Sequence, residues 1–92
     1  MNRLLIVDDE ESILKALRRM LIAANRQFSI DLFSDPELAL ERARHTAYDL
    51  VPADYRMPAM SGVQFLKAFR EIQPEAVRLI LSGYADQDGL IG

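Results

Sequence analysis

The sequence has 92 residues, of which 50% are hydrophobic, a length that supports one globular domain with a modest core rather than two domains. Its formal net charge is −3, and no run of lysine or arginine could neutralise a row of phosphates, so nucleic-acid binding by this domain has little support. The absence of cysteine excludes disulfides, thiol nucleophiles and cysteine-based zinc sites.

The first predicted element is a strand that leads directly into acidic residues. Leu4 to Val7 form a continuous apolar run, which is typical of a parallel strand covered on both faces, and the run stops at Asp8 and Asp9. No apolar run is long enough for a signal peptide or a membrane span, so we expect a soluble cytoplasmic protein. A first helix is predicted over about 11–25 from its apolar face: Ile13, Leu17, Met20, Leu21 and Ala24.

A second strand and a second helix follow. Phe28, Ile30 and Leu32 alternate with polar residues, which is typical of a half-exposed strand at a sheet edge. Ser34-Asp35-Pro36-Glu37 has the pattern of a capping box with a first-turn proline, and it predicts a helix that runs to about His45. The inner face of that helix is formed by Ala39, Leu40 and Ala43.

The remaining chain predicts two more strands around a third helix. A strand is expected from Asp49 to Asp54 and another from Val77 to Leu81. Between them, Ser61-Gly62-Val63-Gln64 is a second capping-box pattern, and it precedes a helical face of Phe65, Leu66, Phe69 and Ile72. The order β-α-β-α-β-α-β with short connections predicts an α/β domain with a doubly wound parallel sheet.

Polar residues stand where three of these strands end. Asp8 and Asp9 follow the first strand, Asp54 closes the third, and Ser82 follows the fourth. Ligands of open α/β sheets bind beyond the carboxyl ends of the strands, so we expect these side chains to meet. Clustered carboxylates repel one another unless a hard divalent cation joins them, and Mg²⁺ also leaves room for a phosphate oxygen. The sequence therefore predicts a magnesium site.

Each residue also has a simpler interpretation. Asp8-Asp9 alone is equally consistent with acidic residues before a helix, and Ser82 alone with a capping hydroxyl. Met57 and Met60 are expected to be packing residues. His45, the only histidine, lies near a predicted helix C-terminus, and no catalytic role is expected for it. The functional hypothesis depends on the three aspartates acting together.

Three segments resemble the signature regions of response regulator receiver domains. They are Val7-Asp8-Asp9-Glu10, Asp54-Tyr55-Arg56-Met57-Pro58-Ala59-Met60-Ser61-Gly62, and Ile80-Leu81-Ser82-Gly83. The resemblance covers essentially the whole chain, so residues 1–92 are interpreted as one receiver domain. It implies a flavodoxin-like sheet of strand order 2-1-3-4, and it implies a signalling domain that is not an enzyme.

The resemblance also implies residue roles. Asp54 would be the phosphoacceptor in a phosphorelay, and would bind Mg²⁺ with Asp9 and the backbone carbonyl of Arg56, while Asp8 would act through a water. Ser82 would donate its hydroxyl to a phosphoryl oxygen. Arg56 and Tyr84 would flank the phosphoryl group and tune access of water to it. Met57, Pro58 and Gly62 are expected to shape the turn that presents the phosphoacceptor. Proline fixes its own φ angle and restricts the backbone conformation of the residue before it.

The partners implied are a sensor histidine kinase or phosphotransfer protein and a downstream output domain or protein. The sequence departs from the family pattern because the fifth strand, its lysine and the last helix are missing, so we expect a C-terminally truncated domain that switches poorly. An exposed fourth strand would favour a dimer through its edge. Pro52 is a second departure, because proline is normally kept out of central strands.

Two rival functions remain. An aspartate-nucleophile phosphohydrolase has a similar fold, but that family carries Asp-x-Asp, and Arg56 stands at the place of its second aspartate, the general acid. A receiver-like interaction module that is never phosphorylated is the other alternative. The aspartates and Ser82 argue against this module, whereas the missing lysine keeps it open.

Overall fold

The computed structural model describes residues 2–81. These residues form four strands and three helices in strict alternation. Their bounds are β1 (Asn2–Val7), α1 (Glu11–Ala24), β2 (Phe28–Phe33), α2 (Pro36–Ala43), β3 (Leu50–Asp54), α3 (Gly62–Ile72) and β4 (Val77–Leu81). Within this part of the chain, none of the helices has the length and apolar character needed to span a membrane.

The four strands form one parallel sheet in the order β2-β1-β3-β4. The predicted α/β class and strand order 2-1-3-4 are confirmed, and β2 lies at an edge as its alternating pattern indicated. Because all strands run in the same direction, the carboxyl ends of β1 and β3 lie side by side at one edge of the sheet. That edge is where Asp8, Asp9 and Asp54 lie.

The main core lies between the sheet and the helices α2 and α3. Leu5 and Val7 of β1 and Val51 and Ala53 of β3 point to this side and are fully buried. The rings of Phe65 and Phe69 pack on them, with 5.9 Å between the ring centroids, as the helical face predicted. Leu4, Ile6 and Leu14 are buried outside this cluster, as expected when helices cover both faces of the sheet.

The starts of α2 and α3 are set by side-chain caps, whereas α1 has no side-chain cap hydrogen bond. Both halves of the capping box predicted for α3 are present: the Gln64 N–H donates to Ser61 Oγ (3.1 Å), and the Ser61 N–H donates to Gln64 Oε1 (3.0 Å). The capping box predicted from Ser34 is wrong. The N-cap of α2 is Asp35, whose carboxylate accepts from the Glu37 N–H, because proline fits at the first helical position.

The half-buried side chain of Gln73 links the end of α3 to the end of α2 and to the loop before β3. The Tyr48 N–H donates to Gln73 Oε1 (2.8 Å), and Gln73 Nε2 donates to the carbonyls of Ala43 (2.8 Å) and Thr46 (2.6 Å). Gln73 at the end of α3 therefore fixes the end of α2 and the loop that enters β3. The buried Tyr48 hydroxyl donates in turn to the Asp31 carboxylate of β2.

Pro52 interrupts the sheet on one side only. The β3 and β4 strands pair at all five positions from Leu50 to Asp54, whereas the β1–β3 pairing is limited to Leu4 with Leu50 and Val7 with Ala53. The gap lies at Pro52, which offers no N–H for the ladder. The anomaly seen in the sequence is therefore accommodated by a local loss of pairing with β1, and the strand itself is retained.

Candidate functional site

The first two carboxylates are placed by the end of β1. The Asp8 N–H continues the sheet by donating to the Phe33 carbonyl (3.1 Å), so Asp8 remains buried at 5% exposure. Its Oδ1 accepts the Glu10 N–H (3.0 Å), which fixes the carboxylate at the start of the loop before α1. Asp9 is exposed. One of the two carboxylates is thus held by the fold, and the other faces solvent.

The third carboxylate belongs to Asp54, the last residue of β3, which is 8% exposed. The following backbone is held on both sides, since the Tyr55 N–H donates to Leu81 (3.0 Å) and the Tyr55 carbonyl accepts from the Gly62 N–H (2.9 Å). Gly62 passes so close that a Cβ there would collide with the Asp54 carbonyl oxygen. The start of α3 therefore packs directly on the backbone of Asp54.

The structure brings these three carboxylates together. Asp8, Asp9 and Asp54 each offer a carboxylate oxygen, and these oxygens all lie within 4.8 Å of one another. Hard oxygen donors at this spacing fit Mg²⁺ or Ca²⁺ better than softer transition metals. The donor set therefore fits the predicted magnesium ion.

The electrostatics of the site favour a cation. Burial raises the pKa of Asp54 to about 6, and the negative charges of Asp8 and Asp9 act in the same direction. Burial also raises the pKa of Asp8, although the hydrogen bond from the Glu10 backbone opposes this, and the neighbouring charges of Asp9 and Glu10 add to the rise. The folded chain thus stores repulsion among acidic groups, which a divalent cation would relieve.

The other predicted site residues take different places. Arg56 and Pro58 are exposed in the loop after β3, whereas Met57 is buried in the core cluster with 8% exposure, which makes it a packing residue of this loop. Ser82 and Tyr84 lie outside the described residues.

Sequence reasoning missed how the backbone supports the site. The Glu10 N–H fixes Asp8, and the Gly62 N–H fixes the carbonyl one residue beyond Asp54. A signal for the second contact is present in the sequence, because a glycine directly after the N-cap Ser61 is a poor helix former and indicates close approach of another backbone. The contact at Asp8 has no local signal beyond the acidic pair itself.

Comparison with known proteins identifies the family. A sequence model described as the response regulator receiver domain matches residues 4–91. The chain belongs to the response regulator receiver domain family. Receiver domains of two-component response regulators are regulatory domains that act in phosphorelay signalling, where they pair with histidine kinases and output domains. The resemblance seen in the three sequence segments is therefore confirmed.

Individual relatives agree with this assignment. The receiver domain is 38% identical over 87 residues to the hydrogenase transcriptional regulatory protein HoxA of Cupriavidus necator, which covers 95% of this chain and 17% of HoxA. It is 39% identical over 80 residues to the transcriptional regulatory protein DltR of Streptococcus agalactiae, which covers 87% of this chain and 35% of DltR. The chain thus spans about a third or less of these curated relatives.

Solved structures confirm the fold. The response regulator TrrA of Thermotoga maritima, solved in complex with Mg²⁺-BeF, matches with a TM-score of 0.81 and 31% identity, covering 99% of this chain and 77% of TrrA. The flavodoxin-like arrangement of parallel strands and flanking helices is therefore that of receiver domains.

Proposed function

We propose that this receiver domain accepts a phosphoryl group on Asp54 in a Mg²⁺-dependent reaction, and that the phosphorylated form switches a downstream output. The observation that carries the proposal is the meeting of the Asp8, Asp9 and Asp54 carboxylates within 4.8 Å at the carboxyl ends of β1 and β3. The receiver domain of TrrA, which is similar over nearly the whole chain, was solved with Mg²⁺-BeF and supports the same chemistry here.

The proposed transfer uses Asp54 as the nucleophile. A carboxylate oxygen of Asp54 attacks phosphorus in line, the P–N bond of a phosphohistidine donor breaks, and the imidazole leaves with the electron pair. The product is an acyl phosphate, and water later hydrolyses it to restore the carboxylate. A Mg²⁺ ion held by Asp8, Asp9 and Asp54 would neutralise the charge that builds up among these groups. Because its pKa is about 6, Asp54 is mostly deprotonated and nucleophilic at neutral pH.

The finer roles extend this proposal. The backbone carbonyl of Arg56 is proposed as a further metal ligand, with Asp8 acting through water. Ser82 is proposed to donate its hydroxyl to the phosphoryl group, and the Arg56 and Tyr84 side chains to control access of water. The sequence has no lysine after Lys67, so the family's lysine partner of the phosphoryl group is not among its residues. We therefore expect residues 1–92 to bind Mg²⁺ yet switch weakly, since one hydrogen bond to a charged group contributes about 1.5–3 kcal/mol.

Partners and location are proposed on the same grounds. The phosphodonor would be a sensor histidine kinase or a phosphotransfer protein. HoxA and DltR are named transcriptional regulatory proteins, so an output in transcription is a reasonable proposal, with nucleic acid contacted by the output and not by this acidic domain. We therefore propose that the protein is located in the cytoplasm.

The test is incubation of the protein with acetyl phosphate and Mg²⁺, followed by intact-mass measurement and peptide mapping. We expect one acid-stable, base-labile phosphoryl adduct per chain at Asp54, which is lost when EDTA removes the metal and in Asp54→Asn. Asp49→Asn is the matched control, because Asp49 lies at the opposite end of β3 and should leave the adduct intact. Repeated turnover without an adduct would instead identify a phosphohydrolase, and no reaction would identify a passive interaction module.

A further inference from the structure

The pairing of β1 with β3 is held by several contacts at its amino-terminal end. The Asp49 N–H donates to the Arg3 carbonyl (2.8 Å), and the Arg3 N–H donates back to Asp49 Oδ2 (2.8 Å). The regular pair of Leu4 with Leu50 follows directly. Gln73 also fixes the loop that enters β3 at this end. The two strands are therefore joined where they begin by contacts that do not involve the site carboxylates.

The carboxyl-terminal end of the same pairing has fewer contacts. Beyond the amino-terminal pair, the only regular pair between the two strands is Val7 with Ala53. Leu5 and Pro52 lie in the gap, both are buried, and Pro52 has no N–H to offer the Leu5 carbonyl that faces it. A single regular pair therefore joins the strand ends that carry the site.

These strand ends also carry like charges. Asp8 and Asp9 follow β1 and Asp54 ends β3, and their carboxylate oxygens lie within 4.8 Å of one another. None of the ion pairs formed by residues 2–81 involves these three carboxylates. Negative charges at this spacing repel one another, and the repulsion acts to part the two strands. The end of the pairing with the fewest contacts is thus the end at which repulsion acts.

We infer that Pro52 makes closure of the phosphoacceptor site depend on the metal ion. In the metal-free protein, the carboxyl-terminal ends of β1 and β3 part locally, from the gap at Pro52 to the site carboxylates, while the amino-terminal ends stay paired. Carboxylates from both strands that share one Mg²⁺ ion hold the two ends together. The inference rests on the proposed function, because it takes Mg²⁺ as the ion of this site.

Two backbone amides lie where this opening would occur. The Asp8 N–H is bonded to β2 and the Tyr55 N–H is bonded to β4. Because backbone groups of successive strand residues point to opposite edges, the N–H groups of Val7 and Asp54 point between β1 and β3. Opening of this end exposes both of them to water, so their hydrogen exchange measures it.

Two neighbouring amides serve as matched controls. Ile6 and Ala53 are fully buried, and by the same alternation their N–H groups face β2 and β4. Both remain bonded when β1 and β3 part. In EDTA we therefore expect lower protection factors for Val7 and Asp54 than for Ile6 and Ala53, as measured by hydrogen exchange and NMR.

The same measurement in Mg²⁺ tests whether the opening breaks the metal site. An open form in which the carboxylates have separated cannot bind the ion. At a free Mg²⁺ concentration a hundred times its dissociation constant, the protection factors of Val7 and Asp54 should therefore rise about a hundredfold. An opening that left the three carboxylates together would give no rise.

Three variants test the cause of the opening in EDTA. Pro52→Ala should bring the protection of Val7 and Asp54 closer to that of the controls, because the restored N–H can bond across the gap. Pro74→Ala also removes a proline, at an exposed position outside the sheet, and should leave the difference unchanged. Asp9→Asn should reduce the difference, since it removes one repelling charge at an exposed position and no strand hydrogen bond.

Phosphorylation by acetyl phosphate, measured on the same samples, separates this inference from the proposed function. Equal protection of all four amides in EDTA, in a protein that forms the adduct at Asp54, would overturn the inference and leave the proposed function standing. Bound Mg²⁺ that does not slow exchange at Val7 and Asp54 would also overturn it. An unchanged difference in Pro52→Ala would remove the role of Pro52, and an absence of Mg²⁺ binding would overturn both proposals.

Discussion

At the scale of single residues, Gly62 controls where Asp54 lies. Its N–H holds the Tyr55 carbonyl, and the backbone of Asp54 occupies the space that a Cβ would need. No glycine of the described residues has a positive φ, so glycine is required here by space and not by backbone conformation. The first turn of α3 and the backbone of Asp54 therefore cannot move independently.

We predict that Gly62→Ala lowers the free energy of unfolding by about 1–3 kcal/mol, because the new methyl group must displace the Asp54 backbone. The same displacement should weaken Mg²⁺ binding and slow phosphorylation. Denaturant titration measures the change in stability, and Mg²⁺ titration measures the change in metal affinity. Ser61→Ala is the neighbouring control, which should lose about 1 kcal/mol of cap energy but keep its Mg²⁺ affinity. Unchanged Mg²⁺ affinity in Gly62→Ala would contradict the prediction.

The site carboxylates could be predicted from sequence, while several structural contacts could not. Asp8 and Asp54 each stand directly after an apolar run and Asp9 follows Asp8, and parallel strands bring such positions to one edge. The bonds of Gln73 join residues 25 to 30 positions apart, and no local pattern encodes such a separation. The cap at Asp35 was also missed, because Ser34 offered an equally good local pattern.

At the scale of elements, β3 pairs well on one side and poorly on the other. The Val77 N–H donates to the Asp49 carbonyl, and the Tyr55 N–H donates to the Leu81 carbonyl. The odd-numbered residues along β3 therefore direct their backbone groups to β4. Position 52 is therefore directed to β1, where a regular ladder would place its N–H against the carbonyl of the buried Leu5. Proline leaves that bond unmade.

We predict that Pro52→Val raises the free energy of unfolding by a net amount of about 0.5 kcal/mol, because a ladder hydrogen bond that contributes about 1 kcal/mol is restored. The gain is partly offset, since proline also restricts the unfolded chain by about 0.4–1 kcal/mol. Urea denaturation measures the change in stability. Hydrogen exchange of the β1 amides next to the gap should be slower in the variant than in the parent protein. Pro52→Ala, which restores the N–H with a smaller side chain, separates the bond from packing. A lower midpoint in both variants would refute the explanation.

The elements themselves were largely predictable because their periodicities are strong. The bounds of β4 match the prediction, and α1 ends one residue before the predicted end at Asn25. The second helix ends at Ala43 rather than His45, because the chain turns where Gln73 binds the Ala43 and Thr46 carbonyls. Element ends thus depend on tertiary contacts that periodicity does not carry.

At the scale of the whole molecule, the acidic site makes stability depend on pH. Asp54 has an ordinary pKa of 3.8 and a folded pKa of about 6, so the folded chain binds more protons between these values than the unfolded chain. The free energy of unfolding therefore falls as pH rises through this window, by at most about 3 kcal/mol. The raised pKa of Asp8 acts in the same direction.

We predict that the metal-free protein is more stable at pH 5 than at pH 7.5, as measured by urea denaturation in EDTA. Asp54→Asn should be more stable than the parent at pH 7.5 and should show a smaller pH dependence. Mg²⁺ should restore the stability of the parent at pH 7.5, by about 2.7 kcal/mol at a hundredfold excess over its dissociation constant, and should stabilise Asp54→Asn less. Rising stability from pH 5 to 7.5 in EDTA would exclude this account.

The carboxylates of the site come from two strands, β1 and β3, whose pairing is interrupted. Asp8 and Asp9 follow one strand and Asp54 ends the other, while the nearest regular pairing below them is Val7 with Ala53. The gap at Pro52 separates this pair from the other regular pair, Leu4 with Leu50. A cation bound by carboxylates of both strands would join their carboxyl ends. Occupancy of the metal site would then determine how strongly the two central strands of the sheet are held together.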